Sequence, residues 1–276
     1  MVSEIGHQAL RAAHLSPPLY AACRDALARP GHLFSPSPLW ARLFLTWIDA
    51  LASASRTAYL PAAVACECMA AGYDLIDAVD GRPGDGPACP SPASDLAAGV
   101  TLVLLAQELM VGLAVPGDRR ARAGAILARG GRRALAGHVE DLALRHRGGA
   151  TQGDALAVLR LRSGALIAAP CQCAAALTGA HWRVVALAGR FGSALGCAAQ
   201  LEDDLADQAE DAHTGRKTVP ILLAQTYPTD PEVVDTTTWV LMQRFLQGAA
   251  RALIHLDAYA RTEPLWTLLP AHLRAA

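Results

Sequence analysis

Residues Gln200–Ala224 read QLEDDLADQAEDAHTGRKTVPILLA. The stretch puts eight charged residues into a chain that is 53% hydrophobic, and five carboxylates, Glu202, Asp203, Asp204, Asp207 and Glu210, fall within nine residues before Arg216 and Lys217 follow. The segment leading into it is Ala-rich and apolar with no strand alternation, so the spacing predicts one helix over Val184 to Asp211. On that helix Gln200, Asp203, Asp204 and Asp207 recur three and four residues apart and share a face. Carboxylates placed this way repel one another. A solvated acidic helix end is one reading. The other is a hard-oxygen site for Mg²⁺, which takes one or two carboxylates together with a diphosphate.

A second acidic stripe lies upstream in GYDLIDAVDG, residues 72–81, where Asp74, Asp77 and Asp80 recur every three residues. They close an apolar, Ala-rich helix at the end where the helix dipole opposes negative charge, so they cost stability unless a cation arrives. Two such stripes facing one another across a cavity would clamp several Mg²⁺ ions and a diphosphate. The apolar helices that carry them would enclose an attached hydrocarbon.

The rest of the chain sets the frame. Lys and Arg number 24 against 25 Asp and Glu, which leaves no basic field for nucleic acid. Helix-length segments, among them Trp40 to Ser53, Leu60 to Asp80, Asp95 to Val115, Arg119 to Arg145, Asp154 to Leu177, His181 to Asp207 and Val219 to Gln225, are separated by short Pro- and Gly-rich breaks such as Pro17-Pro18. No strand-period run appears, so the expected fold is all-α: a single large helical bundle, residues 1–276, around a central apolar cavity. Leu96 to Val115 is apolar enough to raise the question of a membrane span, but Gln107 and Glu108 sit in its middle, so it is read as a core helix rather than a transmembrane segment. The seven cysteines include two C-x-C pairs, Cys66/Cys68 and Cys171/Cys173, whose helical spacing sends the thiols apart instead of toward one zinc. Met1 to Leu10 lacks the pattern of a secretory signal, and a cytoplasmic location is expected.

In order along the chain, the motifs resemble those of the trans-isoprenyl diphosphate synthases and their class I terpene synthase relatives. ECMAAGYDLIDAVD stands for the first aspartate-rich motif, GHVEDL (137–142) for G-Q-x-x-D-L, and LRSGALIAAP (161–170) for the K-T-x-x-L segment. QLEDDLAD follows as Q-x-x-D-D-x-x-D, and GRKTVP (215–220) as G-K-x-T-x-P. The resemblance implies an allylic prenyl diphosphate as substrate and two or three Mg²⁺ ions held by Asp74, Asp77, Asp80, Asp203, Asp204 and Asp207. It also implies that Arg162, Lys217 and Arg216 hold the leaving diphosphate, and that Gln200 faces the carbocation. Asp77, Asp80, Asp203, Asp204 and Gln200 become the catalytic residues, and the expected assembly is a homodimer.

Departures from the family pattern shape the functional expectation. With Glu67 as anchor, Asp77 is the first aspartate of the first motif, Ala78 stands where the second belongs, and Asp74 lies a turn deeper in a poorly solvated position. The cation-rich G-K-R-x-R-P segment, which receives isopentenyl diphosphate, reads GHLFSP (31–36), with His32 alone able to carry charge; Arg82 is what remains of the Arg pair after the motif, and His138 replaces a Gln. A diphosphate cannot be held without cations in a half-apolar cavity. One diphosphate site is therefore expected, and with it a class I terpene synthase whose cation is quenched by cyclisation, proton loss or water. The alternatives are a chain-elongating prenyltransferase drawing on Arg42, Arg56 or Arg82, prenyl transfer to a non-isoprenoid acceptor, and a non-catalytic subunit of a heteromeric synthase. Ala70, Ala71 and Gly72 in CMAAGY suggest a deep pocket and a long prenyl chain.

Overall fold

The computed structural model describes residues 1–52, 55–81 and 91–274, with the side chains of 80 and 81 left outside that description. The described residues form α1 (Val2–Ala12), α2 (Pro17–Leu27), α3 (Leu39–Leu51), α4 (Leu60–Asp77), α5 (Pro92–Val111), α6 (Gly117–Arg145), α7 (Gln152–Leu159), α8 (Ala165–Leu177), α9 (Trp182–Ala206), α10 (Gln208–Thr214), α11 (Val219–Thr226), α12 (Pro231–Leu256) and α13 (Glu263–Trp266). No strand occurs among them, and the fold is all-α as expected. The chain sorts into two compact units, Met1–Ala128 with Pro170–Val185, and Arg129–Ala169 with Ala186–Ala276.

Local chemistry explains the helix starts. Pro17-Pro18, read from sequence as a break, instead opens α2, because a proline in the first turn gives up a hydrogen bond that no helix start makes. α5 begins on Ser91, whose side chain accepts the Ser94 N–H, and α7 on a reciprocal cap between Thr151 and Asp154. The helix expected over Val184 to Asp211 is interrupted. Its regular part ends at Ala206, Asp207 takes a non-helical conformation (φ −98°, ψ 14°), and α10 closes on Gly215 in the left-handed region (φ +72°). Leu60 to Asp80 likewise relaxes to a 3₁₀ turn from Ala78 onward.

In the first unit, α4 is buried along almost all of its length and packs on α3 and α5 around Phe44, Trp47, Met69, Leu75, Leu102 and Met110. α4 and α5 meet backbone to backbone. A Cβ on Gly72 would lie 2.7 Å from the Gly99 carbonyl oxygen, and one on Gly99 would lie 2.8 Å from the Gly72 carbonyl oxygen. The small residues before Asp74 are thus used to bring two helices together. The space that the sequence suggested for a long hydrocarbon is, at Gly72, filled by α5. Gly72→Ala is expected to force the helices apart and lower stability by about 1–3 kcal/mol, the usual range for overpacking, in denaturant unfolding.

α5 is a core helix on one face only. Ala98, Gly99, Leu102, Ala106 and Met110 are buried, whereas Leu96, Val100, Leu104 and Val111 are exposed. By length and composition α5 and α9 are both long and apolar enough to cross a membrane. Cys23, Cys66, Cys68, Cys171, Cys173 and Cys197 are buried and form no disulfide among the described residues, matching their reading as small core hydrophobes; burial pushes the Cys23 thiol up to about 11. Cys89 lies outside the described residues.

The second unit has its own core, built from Ala155, Leu159, Cys197, Leu201, Val219, Leu222, Leu223 and Val234. Between α7 and α8 the backbone widens into a π turn, Arg160–Gly164. Glycines of two other helices press on this turn: a Cβ on Gly137 of α6 would sit 2.7 Å from the Arg162 nitrogen, and one on Gly196 of α9 would sit 2.5 Å from the Ser163 carbonyl oxygen. A single π turn inside an α-helix re-aims the side chains it carries. Here these include Arg162 and Ser163.

Candidate active site

Each acidic motif lies in a different unit, and each has its own surroundings. In the second unit a small pocket is lined by Asp141, Arg162, Gln200, Asp204, Arg216 and Lys217, among others. Its polar wall hangs on one carboxylate. Asp141, 4% exposed, accepts from Arg162 Nη1 at 3.4 Å and Arg145 Nη2 at 3.5 Å, and Arg216 Nε lies 3.7 Å from the same oxygen. Arg216 also donates from Nη1 to Asp211 at 3.2 Å. Three guanidinium groups therefore converge on two carboxylates, Asp141 and Asp211, and Lys217 lines the same pocket. The surplus is positive, and guanidinium forks match the geometry of phosphate oxygens. Lys217 has no ion-pair partner among the described residues and lines the same pocket.

Gln200 is oriented from both sides. Ser163 Oγ donates to its Oε1 at 2.6 Å, and its Nε2 donates to Asp204 Oδ1 at 3.0 Å. Burial pushes the Asp204 carboxyl up to about 7, against the Gln200 hydrogen bond and the charges of Arg216 and Arg162. Asp203 and Asp207 are different. Both are exposed, four residues apart, and Asp203 is raised by partial burial and by the charges of Asp207 and Glu202. The single stripe expected from sequence is thus divided: Asp204 faces inward with Gln200, while Asp203 and Asp207 present unrelieved negative charge outward.

In the first unit the acidic motif has an unforeseen partner. His32, 5% exposed, places Nε2 2.7 Å from Asp74 Oδ2 and Nδ1 3.8 Å from Glu67 Oε2. Glu67 is fully buried, and its other oxygen accepts the Ala41 N–H at 2.7 Å in the first turn of α3, where the helix dipole favours a carboxylate. Burial pulls the His32 imidazole down, but its hydrogen bonds to Asp74 and Glu67 outweigh this and raise it to about 9. Asp74 is not in a poorly solvated position; its side chain is half exposed. Asp77 is partly buried, three residues further on. The side chain of Asp80, and Arg82, lie outside the described residues.

The donor chemistry suits Mg²⁺ best at Asp203 and Asp207, two hard carboxylates whose mutual repulsion helps to raise the Asp203 carboxyl. Among the described residues no three or more His, Cys, Asp or Glu side chains are grouped closely enough to hold a metal by themselves. Phosphate oxygens would have to complete such a shell. Sequence reading had not singled out Asp141, Arg145 or Ser163. The signal for Asp141 was present, as the aspartate of GHVEDL, but the motif carried no role for it.

No curated protein matches the chain in sequence. The family profile described as Polyprenyl synthetase does match, over residues 92–226, and takes in GHVEDL, LRSGALIAAP, QLEDDLAD and GRKTVP. Over that segment, just under half of its length, the chain is similar to the polyprenyl synthetase family. The chain is similar in fold to a geranylgeranyl pyrophosphate synthetase from the archaeon Geoglobus acetivorans, with a TM-score of 0.83 at 20% identity over 99% of this chain and 95% of the other. It is also similar to a geranyltranstransferase from Thermotoga maritima (0.73, 18% identity, 97% and 93% covered) and to a decaprenyl diphosphate synthase from Rhodobacter capsulatus (0.71, 19% identity, 99% and 98% covered). The profile match begins after the first acidic motif and GHLFSP, the two segments that depart most from the family pattern.

Proposed function

We propose that the chain is a trans-prenyltransferase that ionises an allylic prenyl diphosphate and passes the prenyl group to an acceptor, which moves the expectation of a terpene synthase to second place. The observation that carries this reading is the cluster of Arg162, Arg216 and Lys217 at one pocket beside the intact QLEDDLAD motif, within the segment matched by the family profile. Mg²⁺, when bound, would draw charge from the diphosphate and ease its departure. Asp203 and Asp207 would hold the metal. Arg162 and Arg216, fixed by Asp141, would grip the leaving oxygens without reorganising as charge develops there. Gln200, pinned by Ser163 and Asp204, would keep its amide in one orientation toward the organic cation.

One observation favours the second reading, a synthase with a single diphosphate site. His32, the remaining charge in GHLFSP, is committed to Asp74 and Glu67, and Arg56 is paired with Asp49. Both are cations that a second diphosphate would need. Incubation with allylic diphosphates of several lengths, with and without isopentenyl diphosphate and read by product mass, separates the readings. Elongated prenyl diphosphates support the transferase. Hydrocarbons or alcohols of unchanged carbon number move the assignment to the terpene synthase, and absence of diphosphate release overturns both in favour of a non-catalytic subunit.

The same proposal includes a homodimer formed through the exposed apolar stripe of α5, Leu96, Val100 and Leu104, which a second copy would remove from water. A cytoplasmic location suits six buried cysteines that form no disulfide among the described residues.

A further inference from the structure

The end of α9 has two sides. Glu202 is two residues on from Gln200 and two before Asp204, so it points to the opposite side of the helix from that pair. There, within the second unit, a broad groove opens between α9 and α12, lined by Glu202, Leu205, Gln208, Asp235, Trp239 and Met242, among others. Its walls are fixed by the core behind them, in which Leu201 of α9 and Val234 of α12 are buried and against which Met242 packs. Gln208 ties them further, donating from Nε2 to the Leu205 carbonyl at 3.3 Å and to Asp235 Oδ1 at 3.4 Å. Glu202 and Asp235 are exposed, and no lysine, arginine or histidine lines the groove. Trp239 is 54% exposed. Trp182, also exposed, has the Arg183 guanidinium 5.5 Å from its ring, whereas no cation of the described residues covers the Trp239 indole.

A metal ion is the wrong occupant. The two carboxylates stand on separate helices and share the groove with an indole and a thioether, which offer a hard cation nothing. An organic cation uses all of these groups. We propose that the groove docks a basic segment of a partner protein: an arginine or lysine side chain lays its aliphatic stem on Leu205 and Met242, turns its charged end to Glu202 and Asp235, and is covered by the face of Trp239. A segment with more than one basic residue fits better than a single small cation, because the groove is open along the surface and Glu232, one turn before Asp235 on α12, is exposed as well and carries the negative charge past the lining. This surface lies on the other side of α9 from the pocket of Arg162 and Lys217, and the inference stands whether or not the chain is a prenyltransferase.

The test is binding of a capped tetra-arginine peptide to the purified full chain, followed by calorimetry and by tryptophan emission at about 0.15 M salt, where charges more than about 8 Å apart are largely screened. The peptide should bind and change the emission. Trp239→Phe should remove that change yet keep the affinity within about twofold, since a phenyl face still receives a cation, while Trp239→Ala should weaken binding about threefold or more. The Glu202→Gln/Asp235→Asn double variant should weaken it about fivefold or more, the sum of two partly exposed ion pairs. Glu4→Gln, which removes an exposed carboxylate from α1 in the first unit, should change it less than about 1.5-fold. All of these side chains are exposed, so the melting temperatures should stay at the wild-type value, which separates loss of contact from loss of fold. No binding of the peptide, an emission change that survives Trp239→Phe, or equal weakening by Glu4→Gln overturns the inference. Spermidine is titrated alongside: if it binds more tightly than the peptide, the groove is a small-molecule site and the protein partner falls.

Discussion

Replacing Asp203 with alanine is expected to lower single-turnover release of diphosphate from an allylic substrate by on the order of 10²–10³-fold or more, the scale on which charge-stabilising groups act in a transition state. Asp207→Ala should do the same. The two carboxylates are exposed and four residues apart, and the raised Asp203 carboxyl already records their repulsion. Nothing in the core depends on them, so neither change should cost more than about 0.5 kcal/mol of stability. Removing one could even raise the melting temperature slightly by relieving the repulsion. Loss of activity with retained fold is therefore the expected pair of results. Full diphosphate release in the presence of a chelator, or an Asp203→Ala enzyme that turns over like the wild type, would remove Mg²⁺ from the mechanism and the second motif from the active site.

The helical fold could be read from sequence because the chain offers Ala-rich apolar runs with almost no competing pattern. The breaks were harder, since a proline pair can end a helix or begin one, and at Pro17-Pro18 the chemistry of the first turn decides for beginning. Side-chain direction within the second motif was also hidden. Periodicity alone put Asp203, Asp204 and Asp207 on one face, but the hydrogen bond from Gln200 and the nearby arginines pull Asp204 inward, and those arginines are distant in sequence. The π turn at Arg160–Gly164 has no recognisable local signature. It becomes understandable once Gly137 and Gly196 are seen pressing on it from either side. His32 could be noticed as the last charge in a depleted segment, but its partner, 42 residues away, depends on how the loop after α2 packs against α4. Small side chains before Asp74 misled in the other direction: absence of bulk in a sequence does not say whether the space is left for a ligand or taken by a neighbouring helix.

Asp141→Ala should be the most destabilising single change at the site. Its carboxylate is buried and takes charge from Arg145, Arg162 and Arg216, whose side chains are themselves only about a fifth exposed, at 20%, 18% and 23%. Without Asp141, the guanidinium groups of Arg145, Arg162 and Arg216 lose the carboxylate they share, while Asp211 stays in contact with Arg216. Breaking a buried ion pair from one side costs about 3–5 kcal/mol, and a stability loss of that order is expected in denaturant unfolding. The same change makes the pocket more positive, so an added anion should now do part of the work of the missing carboxylate. Inorganic diphosphate is expected to raise the melting temperature of Asp141→Ala by more than it raises that of the wild type, because ligand that binds only the folded state adds stability in proportion to its affinity. Catalysis should still fall, since the forks of Arg162 and Arg216 would no longer be held at fixed positions before the substrate arrives. Thermal melts of both proteins with and without diphosphate decide the matter. If Asp141→Ala melts at the wild-type temperature, or gains no more from diphosphate than the wild type does, then the arginines are positioned by the helices that carry them and Asp141 is a bystander.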